Sequence, residues 1–315
     1  MSGEFPTTFS KSHSGGDQGD IMKNNITHII TIFACILIAC LFALAASDGT
    51  LHLYGVPIIF LCAGASFVIH WAIAIPALIT KTEKYFDLTG MIATLLIVVT
   101  AMIALFTSEQ QVSIISLIVA VFVSMWTLRL GTFLYIRIVK SGEDKRFREI
   151  KNSYPKFLMT WTLSALWVFL TTINAITLVV ANPVKPLGLF FIIGASLWIF
   201  GFAFEAISDR QKKNFSSLPA NKDQFISTGL WSISRHPNYF GEVVLWLGIA
   251  IISLPILSGW QFLTLISPVF VYLLITKISG LPFLEEKADK KWGADSEYLK
   301  YKNTTPLLFP YIGKN

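Results

Sequence analysis

Phe157-Leu158-Met159-Thr160-Trp161-Thr162-Leu163-Ser164-Ala165-Leu166-Trp167-Val168-Phe169-Leu170-Thr171-Thr172-Ile173-Asn174-Ala175-Ile176-Thr177-Leu178-Val179-Val180 runs without one charged side chain. Crossing the hydrocarbon of a bilayer takes about 20 apolar residues, so this stretch reads as a transmembrane helix. Working outward, comparable runs lie near 27–46, 54–79, 90–107, 111–139, 186–207, 238–256 and 260–279, giving eight candidates in all. The runs are continuous rather than alternating, which argues for helices and against a barrel. The expected fold is an all-α, polytopic integral membrane bundle of seven to eight transmembrane helices.

Composition agrees. Of the 315 residues 54% are hydrophobic and only 14% charged, more apolar surface than a soluble domain of this length buries. The net charge of +6 does not point to nucleic acid, because the basic residues are sorted by loop. They fall in the N-terminal segment, the Lys81–Lys84 loop, 140–156, 210–235 and the tail after Lys277, whereas the opposite loops hold only Lys185. The positive-inside rule then puts both termini in the cytoplasm, as for a multi-pass protein of a bacterial inner membrane.

Residues 1–25 are polar and rich in Ser, Gly and Thr, and read as a disordered leader. Ala43-Leu44-Ala45-Ala46-Ser47 has the look of a signal-peptidase site, but the apolar run before it exceeds a signal-peptide core and is read as a span. Residues 26–315 form a single membrane domain ending in an amphipathic, basic-aromatic tail at about 281–315 that can lie over the cytoplasmic surface. Cys35, Cys40 and Cys62 are too scattered for a disulfide framework or a metal cluster, and no metal site is expected. There is no Walker loop, strand-borne G-x-G-x-x-G, H-E-x-x-H, paired C-x-x-C or G-x-S-x-G elbow.

Chemistry-bearing residues gather on the basic side. Ser234-Arg235-His236-Pro237-Asn238-Tyr239-Phe240-Gly241-Glu242 opens a span, with Pro237 suited to the first helical position and Asn238 and Glu242 one turn apart on one face. Arg235 just ahead of that helix start suggests a nest for phosphate and ribose; the plainer reading is a topogenic arginine, a turn and an interfacial glutamate. An ionisable group within an apolar span normally faces a partner or a wet cavity, which favours a site at Glu242. Glu205 and Asp209 repeat the one-turn spacing, with Lys212 and Lys213 following. Trp126, Arg129, Phe133 and Arg137 form a stripe on the fourth span, with Arg129 the deeper anion-ligand candidate and Arg137 a snorkelling residue. His70 and Asp87 are candidate catalytic groups, each with a structural alternative: a bond to a backbone carbonyl for His70 and a helix N-cap for Asp87.

Gly229-Leu230-Trp231, the Ser234–Glu242 stretch and the tail to Pro310 are similar to the C-terminal domain of the membrane steroid 5-alpha-reductases, and more so to bacterial proteins of unknown function grouped with it. The resemblance extends through Ser208-Asp209-Arg210-Gln211, Arg129–Phe147 and Tyr85-Phe86-Asp87-Leu88-Thr89-Gly90. It implies an NADPH-dependent reductase of an activated carbon–carbon double bond in a lipid or steroid-like substrate. It also implies cofactor contacts at Asn238, Tyr239, Glu242 and Asp209, with Arg129 on a phosphate. Glu205 stands where the steroid enzymes have asparagine, and their substrate-polarising glutamate and tyrosine have no clear equivalent. Arg235-His236-Pro237, Tyr239, Gly241 and Glu285-Glu286 also resemble the isoprenylcysteine and phospholipid methyltransferases, which implies S-adenosylmethionine instead. A non-catalytic membrane protein is the third reading.

Overall fold

The computed structural model describes residues 14–144, 147–278 and 280–310. The leader expected over 1–25 lies outside the described residues up to 13, and helix α1 starts at Ser14 and runs to Ala46. A two-residue hairpin follows, β1 (His52–Leu53) against β2 (Val56–Pro57), antiparallel with Leu53 opposite Val56. Its turn, Tyr54-Gly55, has both φ angles positive, the geometry that joins strands most tightly and that Gly55 adopts without strain.

The remaining helices are α2 (Ile58–Ile79), α3 (Phe86–Thr107), α4 (Ile114–Ser141), the short α5 (Phe147–Ile150), α6 (Tyr154–Ala181), α7 (Leu189–Ser217), α8 (Pro237–Ser253), α9 (Ile266–Leu273), α10 (Leu281–Trp292) and α11 (Ser296–Thr304). Among the described residues seven segments are long and apolar enough to cross a bilayer. The helical membrane bundle read from the apolar runs is therefore what the structure contains. The seventh expected run, near 238–256, is α8 and only 17 residues long. The final apolar run is also not one α-helix but a 3-10 turn (Gly259–Leu265), α9, and a π-helical stretch (Leu274–Ile278) in succession.

α6 is the central helix, packed against α1, α2, α3, α4, α8 and α9. From Trp161 to Val180 nearly every residue is buried, which is why this run is apolar around its whole circumference instead of on one stripe. The threonines it tolerates satisfy themselves locally: Thr162, Thr172 and Thr177 each donate to the carbonyl four residues back at 2.8 Å.

The tightest pairing is α7 with α8, and glycines set it. Gly194 and Gly201 on α7 meet Gly248 and Gly241 on α8, two pairs seven residues apart in antiparallel register. A methyl group added at Gly241 would sit 2.6 Å from the backbone nitrogen of Glu205, and one at Gly194 would sit 2.5 Å from the Gly248 carbonyl oxygen. In lipid, helices associate through such close backbone approach rather than through hydrophobic exclusion. The pairing brings Glu205 alongside the turn of α8 that carries Glu242.

Candidate functional site

Three carboxylates and one guanidinium meet where α4, α7 and α8 converge toward the basic side. Glu205 and Asp209 of α7 lie one turn apart, and both pair with Arg129 of α4: its Nη1 donates to Asp209 Oδ2 at 2.9 Å and its Nη2 to Glu205 Oε1. Glu242 of α8 lies within electrostatic reach of Glu205, Asp209 and Arg129. The Asn238 side chain reaches the Asp209 carboxylate. Glu205 is 2%, Asp209 7% and Glu242 8% exposed, so this charge is held inside the protein. Phe202 on α7 supports the Arg129 guanidinium through its ring face, 5.7 Å from the centroid.

Hydrogen-bonding positions of this cluster are open. Asn238 Oδ1 is a buried acceptor without a donor and Arg129 Nε a buried donor without an acceptor, while the Trp126 indole N–H points to the Glu205 carboxylate without a close hydrogen bond. A buried polar atom left in that state costs free energy on the order of 1–3 kcal/mol, so a group of them marks where a polar ligand contributes most. Further along α7, Lys212 holds its ammonium 4.5 Å from the centroid of the Trp231 ring, within electrostatic reach of Arg137 and Lys287. Sequence reading noted Lys212 but did not place it in the site, because its convergence with α4 and α10 is tertiary.

The start of α8 departs from expectation. Pro237 is the first helical residue, as its chemistry requires, but Arg235 does not stand free as an anion ligand. Its Nη1 pairs with Glu285 Oε2 of α10, and His236 Nε2 donates to Glu285 Oε1 at 2.7 Å. One carboxylate thereby takes both basic side chains. The tail fastens the same corner: Arg235 N–H donates to the Pro306 carbonyl at 2.9 Å, Ser234 Oγ to that of Leu308 at 2.8 Å, and Tyr301 OH to that of Trp231 at 2.6 Å. Burial holds the His236 imidazole below its ordinary range, against the upward pull of Glu285. Tyr239 stacks on His236 with centroids 5.9 Å apart. Arg129 commits both terminal nitrogens to carboxylates, whereas Arg235 commits Nη1 to Glu285 and its buried Nε has no partner.

The two candidate catalytic residues lie elsewhere. His70 of α2 is fully buried, with Nδ1 2.7 Å from the Ser66 carbonyl oxygen and Nε2 3.1 Å from Ser164 Oγ of α6. A carbonyl only accepts, so Nδ1 carries the proton and Nε2 accepts from the serine in the neutral ring. Both nitrogens are occupied, which is the geometry of an interhelical tie. Asp87 is not the N-cap of α3, a place taken by Tyr85; it lies in the first turn, 3.9 Å from Arg137. Among the described residues no group of three or more His, Cys, Asp or Glu side chains is arranged to hold a metal ion.

A family model described as "Protein of unknown function (DUF1295)" matches residues 71–305, well over half of the chain. The chain belongs to this family. Beyond the DUF1295 match, the chain is similar to 3-oxo-5-alpha-steroid 4-dehydrogenase 1 of Bos taurus, 26% identical over 122 residues, which is 39% of this chain and 42% of the bovine protein. The aligned part thus spans about two fifths of the relative's length. No solved structure matches the chain. The similarity to the bovine protein is in keeping with the steroid 5-alpha-reductase resemblance read from the sequence.

Proposed function

We propose that this DUF1295 protein is a membrane-embedded, NADPH-dependent reductase of an activated carbon–carbon double bond in a lipid or steroid-like substrate, with its cofactor entering from the cytoplasm. The observation that carries the reading is the open set of hydrogen-bonding atoms at the Arg129–Glu205–Asp209 cluster beside Asn238 and Glu242. An open acceptor at Asn238 Oδ1 and an open donor at Arg129 Nε suit the carboxamide and ribose hydroxyls of a nicotinamide nucleotide, which present both kinds of partner. The name of the bovine relative, a dehydrogenase of a 3-oxo-5-alpha-steroid, supports the same reaction class.

The residues present fit that cofactor. When bound, NADPH supplies the hydride. Asn238, Glu205 and Glu242 bind and orient the nicotinamide end, and Arg129 fixes the two α7 carboxylates so that their orientation is set before the ligand arrives. Lys212 and Lys287 take the phosphates as point charges, with Arg137 beside them. The glycine-packed α7–α8 pair keeps water out and holds Glu205 and Glu242 in register. His70 contributes to the bundle and not to the proton transfer.

S-adenosylmethionine is the second reading, favoured by one observation: three carboxylates face one guanidinium, a surplus that suits a cationic ligand. Thermal shifts of the detergent-purified chain separate the two. Stabilisation by NADPH, weakened in Glu242→Gln and in Lys212→Ala, is the expected result. Stabilisation by S-adenosylmethionine alone would overturn the reductase reading, and a response to neither would favour a non-catalytic protein.

A further inference from the structure

We propose that a water molecule is bound within the bundle between Thr171 and Asn174 of α6, facing α8, α9 and the turn at 259–265. The hydrogen bonds around Asn174 fix its orientation. Its Nδ2 donates to Ser253 Oγ at 3.1 Å and to Thr264 Oγ1 at 3.0 Å. Those hydroxyl protons are already committed, Ser253 to the Ala250 carbonyl and Thr264 to that of Gln261, each at 2.7 Å. With no proton to offer the amide, they can only accept, so the nitrogen must face them and Oδ1 must face away. That oxygen is buried without a donor in a residue only 1% exposed.

Thr171 supplies the complement. It too is 1% exposed, and its Oγ1 has no partner. Five other buried helical threonines, Thr89, Thr94, Thr162, Thr172 and Thr177, donate to the carbonyl four residues back. Thr171 does not, so its hydroxyl is turned to another purpose. Three residues apart on one helix, Thr171 and Asn174 share a face, with side chains starting about 5–6 Å from each other. That gap suits one molecule which accepts from the hydroxyl and donates to the amide oxygen. Water does both, and buried waters typically satisfy two to four such groups.

The site completes a knot that joins the far end of α8, at Ser253, to the central helix. Ser267 Oγ of α9 also donates to the Thr171 carbonyl, so with α6, α8 and the turn at 259–265 four elements meet here. The opposite end of α8 carries Asn238 and Glu242, and the knot sets that helix against α6.

Thr171→Val tests the proposal through the sign of its effect, because valine keeps the shape and removes the hydroxyl. With a bound water, the variant loses one of the water's hydrogen bonds, and the melting temperature of the detergent-purified full chain falls by roughly 2–4 °C. Thr171→Ser, which keeps the hydroxyl, recovers most of that loss. If the hydroxyl has no partner, removing it raises the melting temperature; a rise or no change in Thr171→Val overturns the proposal. Should the valine variant fail to fold, a wild-type structure at a resolution that shows ordered waters decides it. Density between Thr171 Oγ1 and Asn174 Oδ1 supports the site, and its absence there overturns it.

Discussion

The α2–α6 seam and the α7–α8 pair both bury polar side chains at membrane depth, and they finish their hydrogen bonds differently. Along the seam Ser66 donates to the Ala165 carbonyl at 2.8 Å, His70 engages Ser66 and Ser164, and Trp71 donates to Thr162 at 3.0 Å. Beside α7 and α8, charges are paired but Asn238 and Arg129 each keep a buried atom open. Ser66, His70 and Trp71, which tie α2 to α6, close their hydrogen bonds within the protein, although Trp161 Nε1 beside His70 stays open. A group in a binding site leaves some for the ligand, and the Arg129 ion pairs limit what that arrangement costs the fold.

The comparison breaks first at the glycines. Gly241→Val would drive a side chain into the Glu205 backbone, with Cβ already 2.6 Å from its nitrogen, and we expect a loss of more than about 4 kcal/mol, seen as failure to recover monodisperse protein from detergent. Gly90→Ala is the control: its Cβ meets only Trp167 at 3.7 Å and Val168 at 3.8 Å, ordinary contact distances, and should fold normally. Arg129→Leu comes next, because it leaves Glu205 and Asp209 buried without their cation; the expected cost is about 3–5 kcal/mol in thermal unfolding. Adding Glu205→Gln and Asp209→Asn should recover part of that loss, since the stranded charges are then gone.

A sharper contrast pairs one variant from each region. His70→Leu should destabilise by about 1–3 kcal/mol while leaving the thermal response to NADPH intact, because it cuts a tie and touches no ligand. Glu242→Gln should do the reverse: stability changes little, and NADPH affinity falls about tenfold, roughly 1.4 kcal/mol. The reverse assignment of those two outcomes would exchange the roles given to the two regions.

The smallest effect concerns pH. Burial disfavours the protonated form of His236, so the folded chain binds that proton less readily than the unfolded chain does. Stability contributed by the neutral ring is therefore complete at neutral pH and declines as pH falls below about 6.5, where the unfolded state takes up its proton. Melting curves at pH 7.5 and 5.5 should show a steeper loss for wild type than for His236→Gln, by less than about 1 kcal/mol.

Much of this was legible in the sequence. Continuous apolar runs can only be helices in lipid, and Pro237 can only begin one, so the bundle and the start of α8 follow from residue chemistry. The one-turn spacings of Glu205 with Asp209 and of Asn238 with Glu242 likewise put each pair on one helix face. Less legible was what each charged residue faces. Arg129 and Arg235 read as anion ligands because their neighbours in sequence offer no carboxylate; the carboxylates arrive from α7 and α10, 76 and 50 residues away.

What the sequence alone determined is therefore periodic and local: the apolar lengths, the sorting of basic residues to one side, the helix start at Pro237 and the facing pairs. Only the tertiary structure decided that Gly201 and Gly241 press Glu205 toward Glu242, that Arg129 is shared between two carboxylates, and that Glu285 occupies Arg235 and His236. The physical reason is range. Helix periodicity and capping act within a turn or two, whereas the partner of a buried charge is chosen by which helices pack together.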